Sequence, residues 1–336
     1  MKFEKSKNQK YPNIFCFVKL LLLGASVGCS GCGSKVQPGE SDEIFLADPT
    51  IINIDGKYYM AGTQNSNPPG FTILTSSDLQ EWVPAQGDSV PNLAPGVDVF
   101  GTKWFWAPQL LVTDSCTYMF YTANEQIAVA KASDINGHYH WNGTAIDDSE
   151  KNIDPFLFTD SDGRHYLYHV RFDNGNWLWV GEFDFSSGHF VDGTLTPIFR
   201  NDQPWEDTQA YESVPIMEGP TVAKIGDTYY LFYSANHFMS PDYAVGYATA
   251  PTPLGPWTKN PANPIINREL VGERGSGHGD LFMDVDGKLR YVYHVHNSDT
   301  VPNPRRTRII SLNVDSTTVP PAITVDPATV IIPHVK

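Results

Sequence analysis

The sequence predicts an all-β fold, a single-domain five-bladed β-propeller of four-stranded blades, and three observations carry that reading. Five related segments recur, and their starts lie about 47 to 64 residues apart, the period of a propeller blade. Each segment reads as a strand, a tight turn and a second strand, with Gly and Asp at the turn between apolar runs. Helical periodicity is scarce between them. A two-sheet sandwich would account for the strands, but not for acidic residues recurring at one place in the repeat.

The segments follow in order. The first runs Asp48-Pro49-Thr50-Ile51-Ile52, turns at Asp55-Gly56 and continues Tyr58-Tyr59-Met60. The second is Ala107-Pro108-Gln109-Leu110-Leu111-Val112, ending Tyr118-Met119-Phe120-Tyr121. The third opens Asp154-Pro155-Phe156 and turns at Asp162-Gly163; the fourth opens Glu218-Gly219-Pro220-Thr221 and turns at Gly226-Asp227. The fifth opens Gly277-His278-Gly279-Asp280 and turns at Asp286-Gly287. From Asp48, Asp154, Glu218 and His278 to the turn Asp takes seven, eight, nine and eight steps. The four residues are therefore expected at one similar place, near the start of each blade's inner strand, ringing one mouth of the central channel. An Asp-Gly turn between such strands calls for positive φ at both turn residues. The tail beyond Val314 is expected to supply closing strands.

The first segment of the chain reads as a leader rather than as fold. Lys2, Lys5, Lys7 and Lys10 precede an apolar run from Phe15 to Val27, and Gly28-Cys29 follows. Residues 1–28 are expected to be a signal peptide of lipoprotein type, too short and badly flanked for a spanning helix. Cys29 ends the run most directly and Cys32 competes as the lipidated residue; an ordinary cleaved signal is the alternative. Residues 29–41 read as a flexible tether and 42–336 as the propeller. This places the protein outside the cytoplasm, anchored by lipid in a bacterial envelope, at the periplasm or the cell surface, and otherwise a monomer free of the membrane. Cys116 lies in an apolar stretch and reads as a buried inert thiol, leaving no disulfide framework and no cysteine-based metal site. A net charge of −15 argues against nucleic acid and anionic membrane surfaces as partners. Aromatic residues make up 12%, which suits both a core and a sugar-stacking surface.

Three carboxyl groups would converge on one axis, and converging carboxyl groups are what cleavage of a sugar–sugar bond requires. The ordered motifs Ala47-Asp48-Pro49, Trp106-Ala107-Pro108, Ile153-Asp154-Pro155, Glu218-Gly219-Pro220 and Gly277-His278-Gly279 make the chain resemble glycoside hydrolase family 43 over essentially its whole mature length. The resemblance implies an inverting glycosidase acting on arabinose- and xylose-containing plant cell-wall polysaccharides or oligosaccharides. It would remove α-L-arabinofuranosyl or β-D-xylosyl units. An endo-1,5-α-L-arabinanase, galactofuranose- or galactan-directed variants and, in another class, a non-catalytic sugar-binding propeller remain alternatives. It also implies Asp48 as general base, Glu218 as general acid and Asp154 as the group that modulates and orients the acid. His278 would help hold a hydrated structural calcium ion, or else is a hydrogen-bonded channel histidine; no organic cofactor is implied. Arg305 is the candidate substrate-contacting arginine, with at least one of Arg305, Arg306 and Arg308 expected to be a solvated strand-face charge. Trp106 is a candidate sugar platform or a core residue. Gln109 stands where the family often has an acid, which puts one polar contact in doubt.

Overall fold

A computed structural model describes residues 42–64, 68–86, 91–141 and 143–336. The leader, the tether, Cys29 and Cys32 lie outside the described residues. Five antiparallel sheets surround a channel, each opening with the strand nearest the axis. Blade 1 is β1 (Ala47–Ile54), β2 (Lys57–Thr63), β3 (Leu74–Ser76) and β4 (Glu81–Pro84). Blade 2 is β5 (Trp106–Val112), β6 (Thr117–Ala123) and β7 (Gln126–Ala132). Blade 3 is β8 (Asn152–Thr159), β9 (His165–Phe172) and β10 (Asn176–Asp184), with β11 (His189–Phe190) and β12 (Thr196–Pro197) both pairing with β10. Blade 4 is β13 (Met217–Ile225), β14 (Thr228–Ala235), β15 (Ala244–Ala250) and β16 (Thr258–Lys259). Blade 5 is β17 (Gly277–Met283), β18 (Leu289–Val295), β19 (Arg306–Asp315) and β20 (Ala322–Ile331), and β21 (His334–Val335) follows it.

The blades pack face to face, which explains their Tyr-rich middle strands. Successive side chains of a strand point to opposite sheet faces, and here both faces are covered. In β6, Met119 and Tyr121 pack with Tyr59 and Phe71 of blade 1, while Phe120 between them packs with Leu157 and Leu167 of blade 3. In β14, Leu231 and Tyr233 pack with Tyr168 and Trp177, while Tyr230 and Phe232 pack with Tyr291 and Ile310. A fifth cluster, with Ile51, Trp82, Phe282 and Ile309, joins blade 5 to blade 1. Among the described residues, helix is limited to one turn at Arg268–Val271 and a 3-10 turn at Pro204–Glu206. No helix among them is long and apolar enough to cross a membrane.

Three local expectations are corrected. Blade 2 has three strands, not four. Its outer position is taken by residues that make only the single bridges Lys131–His140 and Ala128–Ala145; Trp141 turns its N–H away to the Asp98 carbonyl at 2.7 Å. Of the three Asp-Gly turns, only Asp55-Gly56 has positive φ at both residues, 50° and 87°. At Asp162-Gly163 and Asp286-Gly287 the glycine alone is left-handed, closing a longer turn in which Gly163 and Gly287 donate to the Asp160 and Asp284 carbonyls. Cys116 is half-buried, because it sits in the β5–β6 turn with its Sγ near Thr113 and Ser115 and not within the strand.

The ring is closed by both ends of the described chain. β21 pairs in parallel with β4, and Ile44 donates to the Pro333 carbonyl at 3.0 Å. Beside this seam lies an ion network that removes the expected solvated arginine. Arg308, 1% exposed, donates to Glu273 at 2.7 and 2.8 Å and to Glu43 at 2.9 Å. Arg306 reaches the same two carboxylates at 2.9 and 3.4 Å. Two strand-face arginines one turn of the pleat apart share two acids, one from each side of the seam, so neither faces water alone. Truncating Arg308 would strand Glu43 and Glu273 with one cation between them. Arg308→Ala is expected to cost about 3 kcal/mol of unfolding free energy, read as a lower urea midpoint at unchanged slope. An unchanged midpoint would show that the network contributes nothing to closure.

Candidate active site

Every inner strand begins with the same irregularity. Pairing with the second strand slips by one residue between Ala47 and Thr50, Trp106 and Gln109, Ile153 and Phe156, Glu218 and Thr221, and Gly277 and Gly279. The residue inside each bulge is left-handed: Asp48, Ala107, Asp154, Gly219 and His278, with φ between 43° and 61°. Four of the five are followed by Pro, which has no N–H for the ladder to lose. The bulge turns these side chains toward the channel, which Asp48, Asp154, His278, Gln109 and Asp280 line.

One expectation shifts here. Glu218 does not share the place of Asp48, Asp154 and His278; Gly219 does. Glu218 stands one residue earlier, in the register of Trp106. A bulge breaks the regular alternation of side chains, so residues one step apart in it are aimed differently. The acid therefore has partners quite different from those of Asp48. Its Oε1 accepts from the Tyr243 hydroxyl at 2.8 Å and its Oε2 from Asn176 Nδ2 at 3.4 Å. Tyr243 reaches it over Gly277, where a Cβ would come within 2.4 Å of the Tyr243 ring.

Asp48 is held by a second set. Its Oδ2 accepts from the Thr63 hydroxyl at 2.6 Å, and its Oδ1 lies 3.0 Å from Arg305 Nη1 and 3.3 Å from His278 Nδ1. Asp154 lies behind, with His278 Nδ1 3.9 Å from its Oδ2, and that same oxygen accepts the Gly219 N–H at 3.1 Å. Among the described residues no hydrogen bond joins Asp48 to Glu218.

A repeated rung fixes the bulges. The bulge N–H of one blade is bonded by the side chain that ends the second strand of the blade before it. Ala107 N–H donates to Thr63 at 2.8 Å, Asp154 N–H to Thr122 at 2.9 Å and His278 N–H to Ser234 at 2.7 Å. Asp48 N–H donates to His294 Nδ1 at 3.1 Å. The equivalent residue on β9 is Val170, which has no acceptor, and there Asp154 takes the Gly219 N–H instead. Asp154 thus holds the backbone directly beside Glu218.

The electrostatics separate the acids. Burial would raise Asp48, but Arg305, His278 and His294 outweigh it and hold its carboxyl well below the usual range. Burial pushes Glu218 up to about 7; the negative charge of Asp48 adds to this, and the Tyr243 and Asn176 hydrogen bonds work against it. Burial, then the charges of Glu218 and Asp48, raise Asp154 well above an ordinary carboxyl. His278 and His294 are both pushed down by burial.

The other predicted residues fall as follows. Arg305 contacts Asp48 directly and lies over the Phe238 ring at 4.6 Å. Trp106 is partly buried against the cluster between blades 3 and 4 and stacks at 5.8 Å on Trp104, which is 44% exposed. Gln109 spends both ends of its amide on the Leu157 backbone, at 2.7 and 3.0 Å, so it joins blade 2 to blade 3. Tyr243, Asn176, Thr63 and His294 were not singled out from the sequence. A signal for two of them exists: aligning the repeats places Thr63, Thr122, Val170, Ser234 and His294 in one column.

The donor set does not make a protein cage for calcium. The ion takes about six to eight oxygen ligands. Asp280, the channel carboxylate below His278, already accepts from Thr50 at 2.6 Å and Thr221 at 2.5 Å. Among the described residues no group of three His, Cys, Asp or Glu could hold a metal. The cavity there measures about 20 Å³, space for one or two waters, since each needs at least about 10–15 Å³.

Comparison with known proteins agrees with this geometry. The sequence profile described as glycosyl hydrolases family 43 matches residues 43–317. The chain is 26% identical over 314 residues to a β-D-galactofuranosidase of Aspergillus niger, covering 86% of this chain and 84% of that one. It is 27% identical to an extracellular exo-α-(1→5)-L-arabinofuranosidase of Streptomyces avermitilis, covering 81% of this chain but 60% of that enzyme. Among solved structures, an endo-1,4-β-xylanase from Bacteroides thetaiotaomicron superposes with a TM-score of 0.80 at 35% identity, covering 88% of this chain and 99% of that one.

Proposed function

The chain belongs to glycosyl hydrolase family 43, a family of glycosidases, and we propose that it is an inverting, exo-acting one with Asp48 as general base and Glu218 as general acid. One observation carries the reading: two buried carboxyls at one channel mouth are driven to opposite protonation states. Inversion requires a carboxylate to take a proton from water on one face of the sugar while a carboxylic acid protonates the leaving oxygen on the other. Asp48, charged beside Arg305, suits the first task; Glu218, raised to about 7, suits the second. The two carboxyls rest on separate supports, Thr63 and Arg305 for Asp48 and Tyr243 and Asn176 for Glu218, which supports water activation on one face of the sugar and protonation on the other. Asp154 orients the acid through the Gly219 N–H. Arg305 keeps the base ionised and is positioned to meet sugar hydroxyls. Trp106, with Trp104 stacked on it, is the candidate wall against which the sugar rests.

The substrate follows from the relatives. An α-L-arabinofuranosyl or β-D-xylosyl unit of plant cell-wall polysaccharide is the first reading, supported by relatives named as arabinofuranosidase and xylosidase/arabinosidase. A terminal galactofuranosyl unit is the second, favoured by the Aspergillus niger relative that this chain matches over 84% of its length. Relatives named endo-arabinanases keep an endo mode in view. Several relatives are named extracellular, which supports export. The lipid anchor at Cys29 or Cys32, and a monomeric state, complete the proposal.

Chromatographic product analysis of protein lacking residues 1–32 tests it, on linear and branched arabinan, arabinoxylan, xylo-oligosaccharides and a β-D-galactofuranoside. A single monosaccharide, released with inverted anomeric configuration by proton NMR, is expected and names the sugar. A ladder of oligosaccharides would overturn exo action, and retained configuration would overturn the roles of the two acids.

A further inference from the structure

We propose that Tyr211 and His237 form a stacking platform for the sugar unit that departs in the reaction, an inference that rests on the glycosidase reading above. A row of rings runs from the base to solvent. The Arg305 guanidinium, bound to Asp48, lies over Phe238 at 4.6 Å. The Phe238 and His237 rings are 4.7 Å apart and 26° from parallel; His237 and Tyr211 are 4.7 Å apart and 21° from parallel. The row ends at Tyr211, which is 41% exposed and so gains little from core burial.

The platform is built rather than loose. The loop carrying Tyr211 and the loop carrying His237 are tied together by Asn236, 6% exposed. Its Oδ1 accepts from Thr208 N–H at 2.9 Å, and its Nδ2 donates to the Trp205 and Asp242 carbonyls at 2.8 and 2.9 Å. Thr208 Oγ1 also donates to Asp242 at 2.7 Å, and Arg268 pairs with the same carboxylate at 3.0 Å. His237 Nδ1 accepts the Met239 N–H at 3.1 Å, which puts the ring proton of the neutral imidazole on Nε2 and leaves a donor for a hydroxyl. The platform's place on the chain selects the unit it meets. The segment after Tyr211 runs directly into β13, whose second residue is Glu218. The leaving oxygen must sit beside Glu218, so the unit attached to that oxygen lies over this segment, while the cleaved unit occupies the mouth above Asp48 and His278. A ring face stacked on an aromatic ring, with one N–H to a hydroxyl, is the contact offered.

Tyr211→Ala and His237→Ala test this with two substrates: an oligosaccharide of the sugar identified by product analysis, and the matching glycosyl fluoride, whose leaving group is one atom with nothing to stack. On the oligosaccharide kcat/KM is expected to fall roughly three- to tenfold, mostly through KM, as for loss of one aromatic stacking contact. On the fluoride it should not change, and Tyr211→Phe should behave as the unmodified protein on both. Unchanged oligosaccharide kinetics, or equal losses on both substrates, would overturn the platform. Hydrolysis of the fluoride by the unmodified protein reports separately on the glycosidase reading. If that fails, calorimetry with arabino- and xylo-trisaccharides beside arabinose and xylose decides the platform alone: Tyr211→Ala should weaken trisaccharide binding relative to the unmodified protein and leave monosaccharide binding alone, and an unchanged trisaccharide affinity would sink it.

Discussion

Glu218→Ala is expected to lower kcat/KM by about 100- to 10,000-fold on natural oligosaccharides, the usual contribution of a positioned general acid. The same variant should hydrolyse a glycosyl fluoride or an aryl glycoside with an acidic phenol almost as fast as the unmodified protein, because those leaving groups need little protonation. The split follows from the two separate supports: Asp48 keeps Thr63, Arg305 and His278 when Glu218 is truncated, so the base still acts. Its pH dependence has a definite sign. As the proposed general acid Glu218 would work protonated, so activity of the unmodified enzyme on poor leaving groups should fall as pH rises through about 7. In Glu218→Ala that basic limb should vanish. Equal losses on good and poor leaving groups would contradict the acid assignment. Asp154 is also raised, by burial and by Glu218 itself, so the limb belongs to the pair and not to one carboxyl alone.

Much of this arrangement was legible in the chain because the propeller repeats its own irregularity. The bulge that aims Asp48 and Asp154 at the channel is written as an Asp-Pro step, and a period of blade length makes the steps visible as a set. The offset of Glu218 was also present, as the odd nine-step count to its turn Asp against seven and eight for the others. Counting alone does not say which residue the bulge holds; the slipped pairing between Glu218 and Thr221, with left-handed Gly219 inside it, does. What stayed hidden are contacts between distant blades. His294 meets Asp48 across 246 positions, and Thr50 meets Asp280 across 230. No local pattern encodes such pairs, because they arise only when the ring closes. Arg306 and Arg308 were misread for the same reason: their partners Glu43 and Glu273 come from outside the strand. Gln109 shows the reverse case, a polar residue in a motif whose amide is consumed by an interblade bond.

Asp48→Asn should be the more severe change, since no leaving group can compensate for an unactivated water. The amide keeps the shape and can still accept from Thr63, but it carries no charge and cannot take a proton. Loss of about 100- to 10,000-fold in kcat is expected on every substrate, glycosyl fluoride included, with KM changed little. A second consequence reaches the acid. The Asp48 charge is one of the terms that raise Glu218. Removing it leaves Arg305 without its anion, and the uncompensated guanidinium further favours ionised Glu218. The Glu218 pKa should therefore fall, and the basic limb of the residual activity on poor leaving groups should move to lower pH than in the unmodified enzyme. A limb that stays in place would mean that burial alone holds the proton on Glu218, and that the two carboxyls are electrostatically independent. Undiminished hydrolysis of the fluoride by Asp48→Asn would remove Asp48 from the role of base, leaving Asp154, the other channel carboxyl at the same bulge register, to be tested by the same substitution.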